Sequence, residues 1–142
     1  MTIARLIEGR NGAIISIDAS ASVRDAVSLL AERRIGALPV MQGGVIAGIF
    51  SERDVVYGLA QNGPAMLDGP VGAVMTAPVI SVDPQSDVLD ALSLMTRRRI
   101  RHLPVVQGGA MVGFISIGDL VKYRIERIES EAQAMRSYIQ SA

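Results

Sequence analysis

The stretch RRIGALPVMQGG (residues 33–44) occurs a second time in this sequence, as RRIRHLPVVQGG (residues 98–109), with three substitutions. Both stretches lie inside a longer duplication, because residues 13–56 align with residues 78–121 at a constant offset of 65 and without a gap. Of the 44 aligned positions, 21 are identical. Self-similarity at a fixed offset is the signature of a repeated structural unit. We therefore expect two copies of one unit to occupy most of the chain.

Each copy is predicted to contain a strand, a helix, two further strands and a second helix, in that order. Short β-branched runs at residues 14–17 and 79–82 alternate as strands do. Ser22 and Asp87 stand at the N-cap position of the amphipathic helix that follows. After that helix, Leu-Pro-Val opens the second strand, and a Gln-Gly-Gly turn returns the chain as the third.

The segments outside the repeat also have recognisable patterns. Short helical segments are predicted at residues 3–7 and 71–75, each leading into the copy that follows it. Residues 58–70 are rich in Gly and Pro, which is typical of a connector. We therefore predict four parts in the chain: a first repeat at 1–60, a linker at 61–70, a second repeat at 71–124 and a C-terminal helical extension at 125–142.

The size of each copy indicates how the two are arranged. A unit of about 50 residues buries too little surface to be comfortably stable by itself. We therefore predict an α+β fold in which two tandem β-α-β-β-α repeats pack face to face with pseudo-two-fold symmetry, followed by an extended C-terminal helix.

Apolar residues in the C-terminal extension recur at alternating intervals of four and three, which is the spacing of a coiled-coil seam. About three heptads is short for an independent coiled coil, so two interpretations stay open. The helix either lies with its apolar face on the protein's own body or is a self-association helix. The apolar positions are Val121, Ile125, Ile128, Ala132, Met135 and Ile139.

The composition argues against several functional classes. With 14 Lys and Arg residues against 14 Asp and Glu, the formal net charge is zero, which disfavours nucleic acid as a partner. The chain has no cysteine and one histidine, so it lacks the residues of a Cys-rich zinc site or a multi-histidine metal site. No apolar run approaches the roughly 18 residues of a membrane span, and the N-terminus does not resemble a signal peptide. We expect a cytoplasmic protein with no membrane partner and no metal.

A second repeated motif, Gly-apolar-x-Ser-x-x-Asp, lies where the third strand meets the last helix of each copy. It places Ser51 and Asp54 at the start of one helix, and Ser116 and Asp119 at the start of the other. Ser-x-x-Asp is also a helix capping box, in which the serine oxygen accepts a backbone N–H. Alternatively, the carboxylate binds the vicinal diol of a ribose, and the motif glycine lets the ligand approach the backbone closely. On that interpretation both copies face one shared cleft.

The duplicated Arg-Ile-x-x-Leu-Pro-Val segment, the Gly-Gly turn and the Gly-apolar-x-Ser-x-x-Asp motif together resemble the paired cystathionine-β-synthase-type (CBS) domain module, of the stand-alone bacterial kind. The resemblance implies a regulatory fold that dimerises and binds adenosine-containing ligands between its halves. It also implies that the motif Asp holds the ribose hydroxyls, that the motif Ser lies near ribose or phosphate, and that adenine packs on the first strand. The residues concerned are Asp54, Asp119, Ser51, Ser116, Ile15 and Ile80.

The two copies differ at positions beside the motifs. The second copy has Arg101 and His102 where the first has Gly and Ala, and the first has Arg53 where the second has Gly. The resemblance implies that Arg101 and His102, at a position that reaches ligand phosphates in similar modules, contact a ligand phosphate. Arginine pairs well with phosphate, and we predict a further phosphate contact from Arg53 on the other side. The alternatives are a solvated helix end for Arg97–Arg101 and a surface position for His102. Because the copies differ, we predict that one site binds more tightly than the other.

These patterns favour a regulatory or sensor module over an enzyme, since neither motif aspartate has an evident nucleophile, metal set or acid partner. The predicted ligand is an adenosine nucleotide, with AMP favoured and ATP, ADP or NAD(H) as further candidates. The predicted partners are a second copy of the chain and a protein effector of unknown identity. The alternative function is a ligand-free dimerisation or adaptor protein that acts through its C-terminal helix.

Overall fold

The computed structural model of the chain describes residues 1–10 and 13–141, so Ala142 of the predicted extension lies outside the described residues. Over these described residues the chain forms α-helices, short strands and two 3-10 helices, the latter at Gly63–Asp68 and Val71–Ala73. In chain order the labelled elements are α1 (Ile3–Ile7), β1 (Ile17–Asp18), α2 (Val23–Arg33), β2 (Ala37–Gln42), β3 (Val45–Ser51), α3 (Glu52–Asn62), α4 (Val88–Arg98), β4 (His102–Gln107), β5 (Ala110–Ser116) and α5 (Ile117–Ser141).

Each copy builds a small sheet around an antiparallel hairpin. The β2–β3 pair runs from Ala37 opposite Ser51 to the turn, and β4–β5 repeats it from His102 opposite Ser116. Strand β1 adds to the first sheet in parallel, with Ile17 beside Val40. These sheets, with the helices packed on them, confirm the predicted α+β class.

The predicted first strand of each copy is much shorter than the sequence indicated. Residues 14–16 form no ladder, and the 79–82 segment keeps a single parallel bridge, from Val82 to Val105. Proline in the Leu-Pro-Val segment explains this. Pro104 faces the segment, because its carbonyl accepts from Val82 N at 3.0 Å, yet proline has no N–H to continue the ladder. Pro39 is its counterpart in the first copy.

The two helical segments that precede the copies exchange places. Ile3 is fully buried in the core of the second copy, with Val88 and Leu103, and Val71 is fully buried in the core of the first. In chain order each segment leads into the copy that follows it, as predicted, but its core contacts are with the other copy. Each leading segment can pack against either copy, and the periodicity of its sequence does not indicate which copy it contacts.

The exchange gives direct evidence of the pseudo-two-fold symmetry. Ile3 N donates to Ser86 O at 2.9 Å, and the equivalent Val71 N donates to Ala21 O at 2.8 Å. The next residue in each segment repeats the pattern, with Ala4 N bonded to Pro84 O at 2.7 Å and Gly72 N bonded to Ala19 O at 2.9 Å. Each copy therefore ties the other's leading segment in place.

The connector between the copies is helical and packed. Helix α3 continues to Asn62, and the 3-10 helix at Gly63–Asp68 follows directly. Met66 in that turn is buried in the core of the first copy, where its Sδ and Cε occupy the space a side chain on Gly58 would need. The Gly and Pro residues that indicated a connector thus permit a tight turn against the body.

Helix α5 starts on the body and then leaves it. Leu120 is fully buried and Tyr123 packs partly against the second core. From Ile125 onward, by contrast, the large apolar residues are exposed, with exposed fractions of 50% at Ile125 and 66% at Ile139. The interpretation that this helix lies with its apolar face on the protein's own body is therefore wrong. None of the helices in the described part of the chain is both long and apolar enough to span a bilayer.

Candidate functional site

In the described part of the chain, two separate cavities between the copies contain the motif aspartates, whereas the sequence predicted one shared cleft. The first cleft, of about 440 Å³, contains Asp54, and the second, of about 590 Å³, contains Asp119. Each cleft combines the Ser-x-x-Asp motif of one copy with two segments of the other. The first cleft takes residues 78–80 and 99–102 from the second copy, and the second cleft takes residues 13–15 and 34–37 from the first copy.

The residues singled out from the sequence divide between these clefts. Because residues 13–15 and 78–80 are not paired in a sheet, their side chains are free to line a cavity. The isoleucine predicted for adenine therefore faces the aspartate of the opposite copy. The first cleft is lined by Ser51, Arg53, Asp54, Ile80, Arg101 and His102, and the second by Ile15, His102, Ser116 and Asp119.

Asp54 lies half-buried at the start of α3 and accepts three hydrogen bonds from the protein. Its Oδ2 accepts from the Ser51 backbone N–H at 2.8 Å and from the Ser51 hydroxyl at 3.2 Å. Its Oδ1 accepts from the Thr76 hydroxyl at 2.9 Å. The helix-capping role is thus real. A carboxylate offers about four lone-pair sites, so capping leaves Asp54 able to accept from a ligand as well.

Asp119 has a stronger internal partner. Ser116 N donates to its Oδ2 at 2.8 Å and Asp119 N donates back to the Ser116 hydroxyl at 3.2 Å, which is the reciprocal capping box. Arg10 Nη2 also lies 3.0 Å from Oδ2. Partial burial acts to raise the pKa of Asp119, but the hydrogen bonds from Ser116 and Arg10 and the charge of Arg10 outweigh it and hold that pKa below its usual value.

Arg10 and Thr76 are functional candidates that the sequence reasoning missed. Both lie outside the two aligned segments, so the repeat gave no signal for them. The two residues donate to equivalent acceptors. In the first cleft, Thr76 N donates to Ile49 O and the Thr76 hydroxyl donates to Asp54. In the second cleft, the Arg10 guanidinium makes both contacts, to Phe114 O at 3.2 Å and to Asp119.

His102 lines both clefts and is half-buried, so the surface interpretation is wrong. Its ring stacks on Phe114 with 5.6 Å between ring centroids and 12° between the planes. Burial lowers the pKa of His102, and Arg101 lowers it further, against the opposing charges of Asp119 and Glu52. The imidazole is therefore neutral near pH 7 and can offer a phosphate one N–H donor.

Arginines supply positive charge to both clefts. The first cleft has Arg53, Arg99 and Arg101, and the second has Arg10 and Arg34. Arg34 and Arg99 occupy equivalent positions just after α2 and α4, with φ of 53° and 54°. Glycine is the usual residue in this left-handed conformation at a helix end. Both copies therefore keep an arginine, at a conformational cost, where its side chain lines a cleft.

The structure gives one of the two motif glycines a different purpose from the one predicted. A Cβ on Gly48 would lie 2.6 Å from Met75 Sδ and 2.9 Å from Thr76 O, and a Cβ on Gly113 would lie 3.2 Å from Ile7. The close approach is therefore made by the exchanged leading segments, and the expectation that these glycines admit a ligand is wrong for Gly48. Gly113 does line the second cleft.

Comparison with known proteins agrees with this architecture. The family model of the CBS domain matches the chain twice, over residues 11–61 and 71–126. The chain belongs to the CBS-domain family. It is 38% identical over 124 residues to CBS domain-containing protein CBSX3, mitochondrial, of Arabidopsis thaliana, a match that covers 84% of this chain. The matched region spans 60% of that relative's own length.

Solved structures of CBS-domain proteins superpose closely on the chain. A CBS-domain protein from Burkholderia ambifaria MC40-6 matches with a TM-score of 0.82 and 39% identity, over 89% of this chain and 95% of the other. CBSX2 in complex with AMP matches with a TM-score of 0.75 and 26% identity, over 88% and 96% of the two chains. The paired CBS fold predicted from the repeat is thereby confirmed.

Proposed function

We propose that this CBS pair is a regulatory module that binds an adenosine nucleotide in the clefts between its two repeats. The observation that carries the proposal is the composition of each cleft. A half-buried carboxylate at a helix start, an isoleucine from the opposite copy and two or three arginines line one cavity. These groups match the ribose, the base and the phosphate of one ligand.

In the first cleft, the ribose hydroxyls bind Asp54 beside Ser51, and adenine packs on Ile80. The phosphate lies towards Arg53 and Arg101, whose forked guanidinium donors suit phosphate oxygens. In the second cleft Asp119, Ser116 and Ile15 take the equivalent roles, with His102 offering a neutral donor between the two. The AMP bound to CBSX2, a structural neighbour of similar fold, supports AMP as the first ligand to test, followed by ADP, ATP and NAD(H).

Regulation follows from where the clefts lie. Because each cleft uses residues of both copies, a bound nucleotide contacts both and favours one relative orientation of the copies over others. A ligand shifts such an equilibrium only by its difference in affinity for the two states. We propose that this shift changes a surface recognised by a protein effector, and that the working unit is a homodimer.

The test is to identify and then titrate the ligand. Native mass spectrometry of the purified protein is expected to show a bound adenine nucleotide, and calorimetry with AMP, ATP and NADH is expected to give binding that Asp54→Asn and Asp119→Asn weaken. Asparagine keeps an acceptor for the cap but removes the charge. Glu32→Gln, on the exposed surface of α2, is the matched control. Unchanged affinity in both Asp variants, with the fold intact, would assign the motif to capping alone.

The exposed apolar residues of α5 favour a second candidate function, a ligand-free dimerisation or adaptor protein that acts through this helix. The response to nucleotide distinguishes the two candidate functions. An adaptor binds no nucleotide in either cleft, whereas a sensor changes its partner affinity when nucleotide is added.

A further inference from the structure

The apolar stripe of α5 is exposed, although the start of the helix packs on the protein's own body. Leu120 is buried in the second core, and Ile117 and Tyr123 pack partly against it. At about 100° per residue, the stripe that starts at Val121 is centred about 100° around the helix from the buried Leu120. Met135 in this stripe has 60% of its surface exposed, and Ile128 has 48%. The body therefore does not cover the stripe.

The spacing assigns heptad positions along the stripe. Ile125, Ala132 and Ile139 take position a, and Val121, Ile128 and Met135 take position d. Positions g and e flank this seam and carry charges that pair with a partner helix. The flanking residues are Arg124 and Glu131 at g, and Lys122, Glu129 and Arg136 at e.

The flanking charges distinguish two orientations of a second α5. In a parallel pair, each g residue meets the e residue five positions later on the partner. Arg124 then faces Glu129 of the partner subunit, and Glu131 faces Arg136 of the partner subunit. Both contacts join opposite charges, and the two-fold axis makes each of them twice. Glu131 also accepts from Arg127 Nε at 3.2 Å within its own helix, which leaves its second oxygen for the partner.

An antiparallel pair is disfavoured by the same residues. In that orientation g faces g and e faces e. We take the antiparallel register in which all six apolar positions have a partner. There Glu129 faces Glu129 of the partner subunit, Glu131 faces Glu131 of the partner subunit, and Lys122 faces Arg136 of the partner subunit. Each of these contacts joins like charges, so the antiparallel pair loses what the parallel pair gains.

We propose that α5 forms a parallel two-stranded coiled coil with α5 of a second copy of this chain. The inference goes beyond nucleotide binding and does not depend on it. A parallel coil places both CBS bodies at the same end, side by side, with both C-termini at the other. Any change in the relative orientation of the bodies is then communicated along one shared helical stalk.

Cysteine cross-linking tests the orientation directly, because the chain has no cysteine of its own. In a parallel coil each a residue and each d residue lies opposite its own copy, within the 4.4–6.8 Å Cα separation that a disulfide requires. Met135→Cys and Ile125→Cys are therefore each expected to form a covalent dimer on mild oxidation. Gln133→Cys, on the outer face of the helix, is the matched control and is expected to remain a monomer on a denaturing, non-reducing gel.

An antiparallel pair would give a different pattern of cross-linking. In the antiparallel register Met135 faces Ile125 of the partner subunit, so a covalent dimer would form only when the two cysteine variants are mixed. That result, or no cross-link in any sample, would overturn the proposal. Both positions are exposed, so the substitutions leave the buried cores intact, and circular dichroism checks that the helix is retained.

Charge reversal supplies a second, independent measurement. Glu129→Arg turns both symmetry-related Arg124–Glu129 contacts into contacts between two arginines and is expected to weaken the dimer at least several-fold in sedimentation equilibrium. Adding Arg124→Glu restores opposite charges and is expected to restore the dimer. Glu126→Arg, at an outer heptad position, is the control. Failure of the double variant to recover dimer, while the control stays dimeric, would contradict the parallel pairing.

Discussion

Arg10 Nη2 lies 3.0 Å from Asp119 Oδ2, whereas the equivalent carboxylate, that of Asp54, is held by the neutral hydroxyl of Thr76 at 2.9 Å. A ribose that binds Asp119 shares the carboxylate with a charge-assisted contact, whereas a ribose that binds Asp54 shares it with neutral donors only. Charged hydrogen bonds are about twice as strong as neutral ones. The two clefts of this pseudo-symmetric molecule are therefore unequal before any ligand arrives.

This inequality predicts two classes of site, with the first cleft tighter for AMP. A hydrogen bond to a charged group contributes about 1.5–3 kcal/mol, so Asp54→Ala is expected to weaken the tighter class by about ten-fold to over a hundred-fold. Asp119→Ala is expected to affect only the weaker class. Calorimetric titration with AMP checks this, and two equal, independent sites in the wild type would contradict it.

Removing the competing arginine is expected to improve the second cleft for a ligand without phosphate. Arg10→Gln frees the Asp119 carboxylate, so the affinity of that cleft for adenosine should rise several-fold. Arg5→Gln, in α1 and on the exposed surface, is the control. An unchanged or lower adenosine affinity in Arg10→Gln would show that the ion pair supports the site.

The lowered pKa of Asp119 predicts a pH dependence of folding stability. A carboxyl whose pKa is lower in the folded than in the unfolded state stabilises the fold fully above its unfolded value, here about 3.8, and that contribution is lost as pH falls through the lower folded value. In urea denaturation at a series of pH values, wild type should therefore be more stable than Asp119→Asn above pH 4. The difference should shrink below it. A constant difference down to pH 2 would be inconsistent with this assignment.

The left-handed backbone at Arg99 predicts that a glycine substitution will lower AMP affinity without lowering the stability of the fold. Glycine adopts this conformation without the penalty of a side chain, which is about 1 kcal/mol. Arg99→Gly should therefore leave the melting temperature unchanged or raise it, while AMP affinity in the first cleft falls and adenosine affinity does not. Arg34→Gly should do the same in the second cleft. Equal losses for AMP and adenosine would show that the arginine does not contact phosphate.

The repeat predicted the fold well because its signal is local. Ser22 at an N-cap and the Gln-Gly-Gly turn each depend on a few neighbouring residues, and both appear in the structure. The alternating runs at 14–17 and 79–82, by contrast, form only short strand contacts. The exchange of the leading segments was not predictable in this way. Ile3 and Val71 lie in leading segments that have the same helical sequence pattern. Only tertiary packing determines the core in which each residue is buried.

The site was predictable in its residues and not in their grouping. The repeat identified the Ser-x-x-Asp motifs, yet whether Ile80 faces Asp54 or Asp119 depends on how the copies face each other. Arg10 lies outside the duplicated segments, so no internal comparison could identify it. Its contact with Asp119 arises only because α1 packs on the second copy.

The most direct test of the central claim is calorimetric titration of AMP into wild type and into the double variant Asp54→Asn/Asp119→Asn, with both proteins shown to be folded. Two clefts that bind a ribose through their motif carboxylates predict saturable binding to wild type and little or none to the double variant. Equal binding of AMP to both proteins would contradict the account.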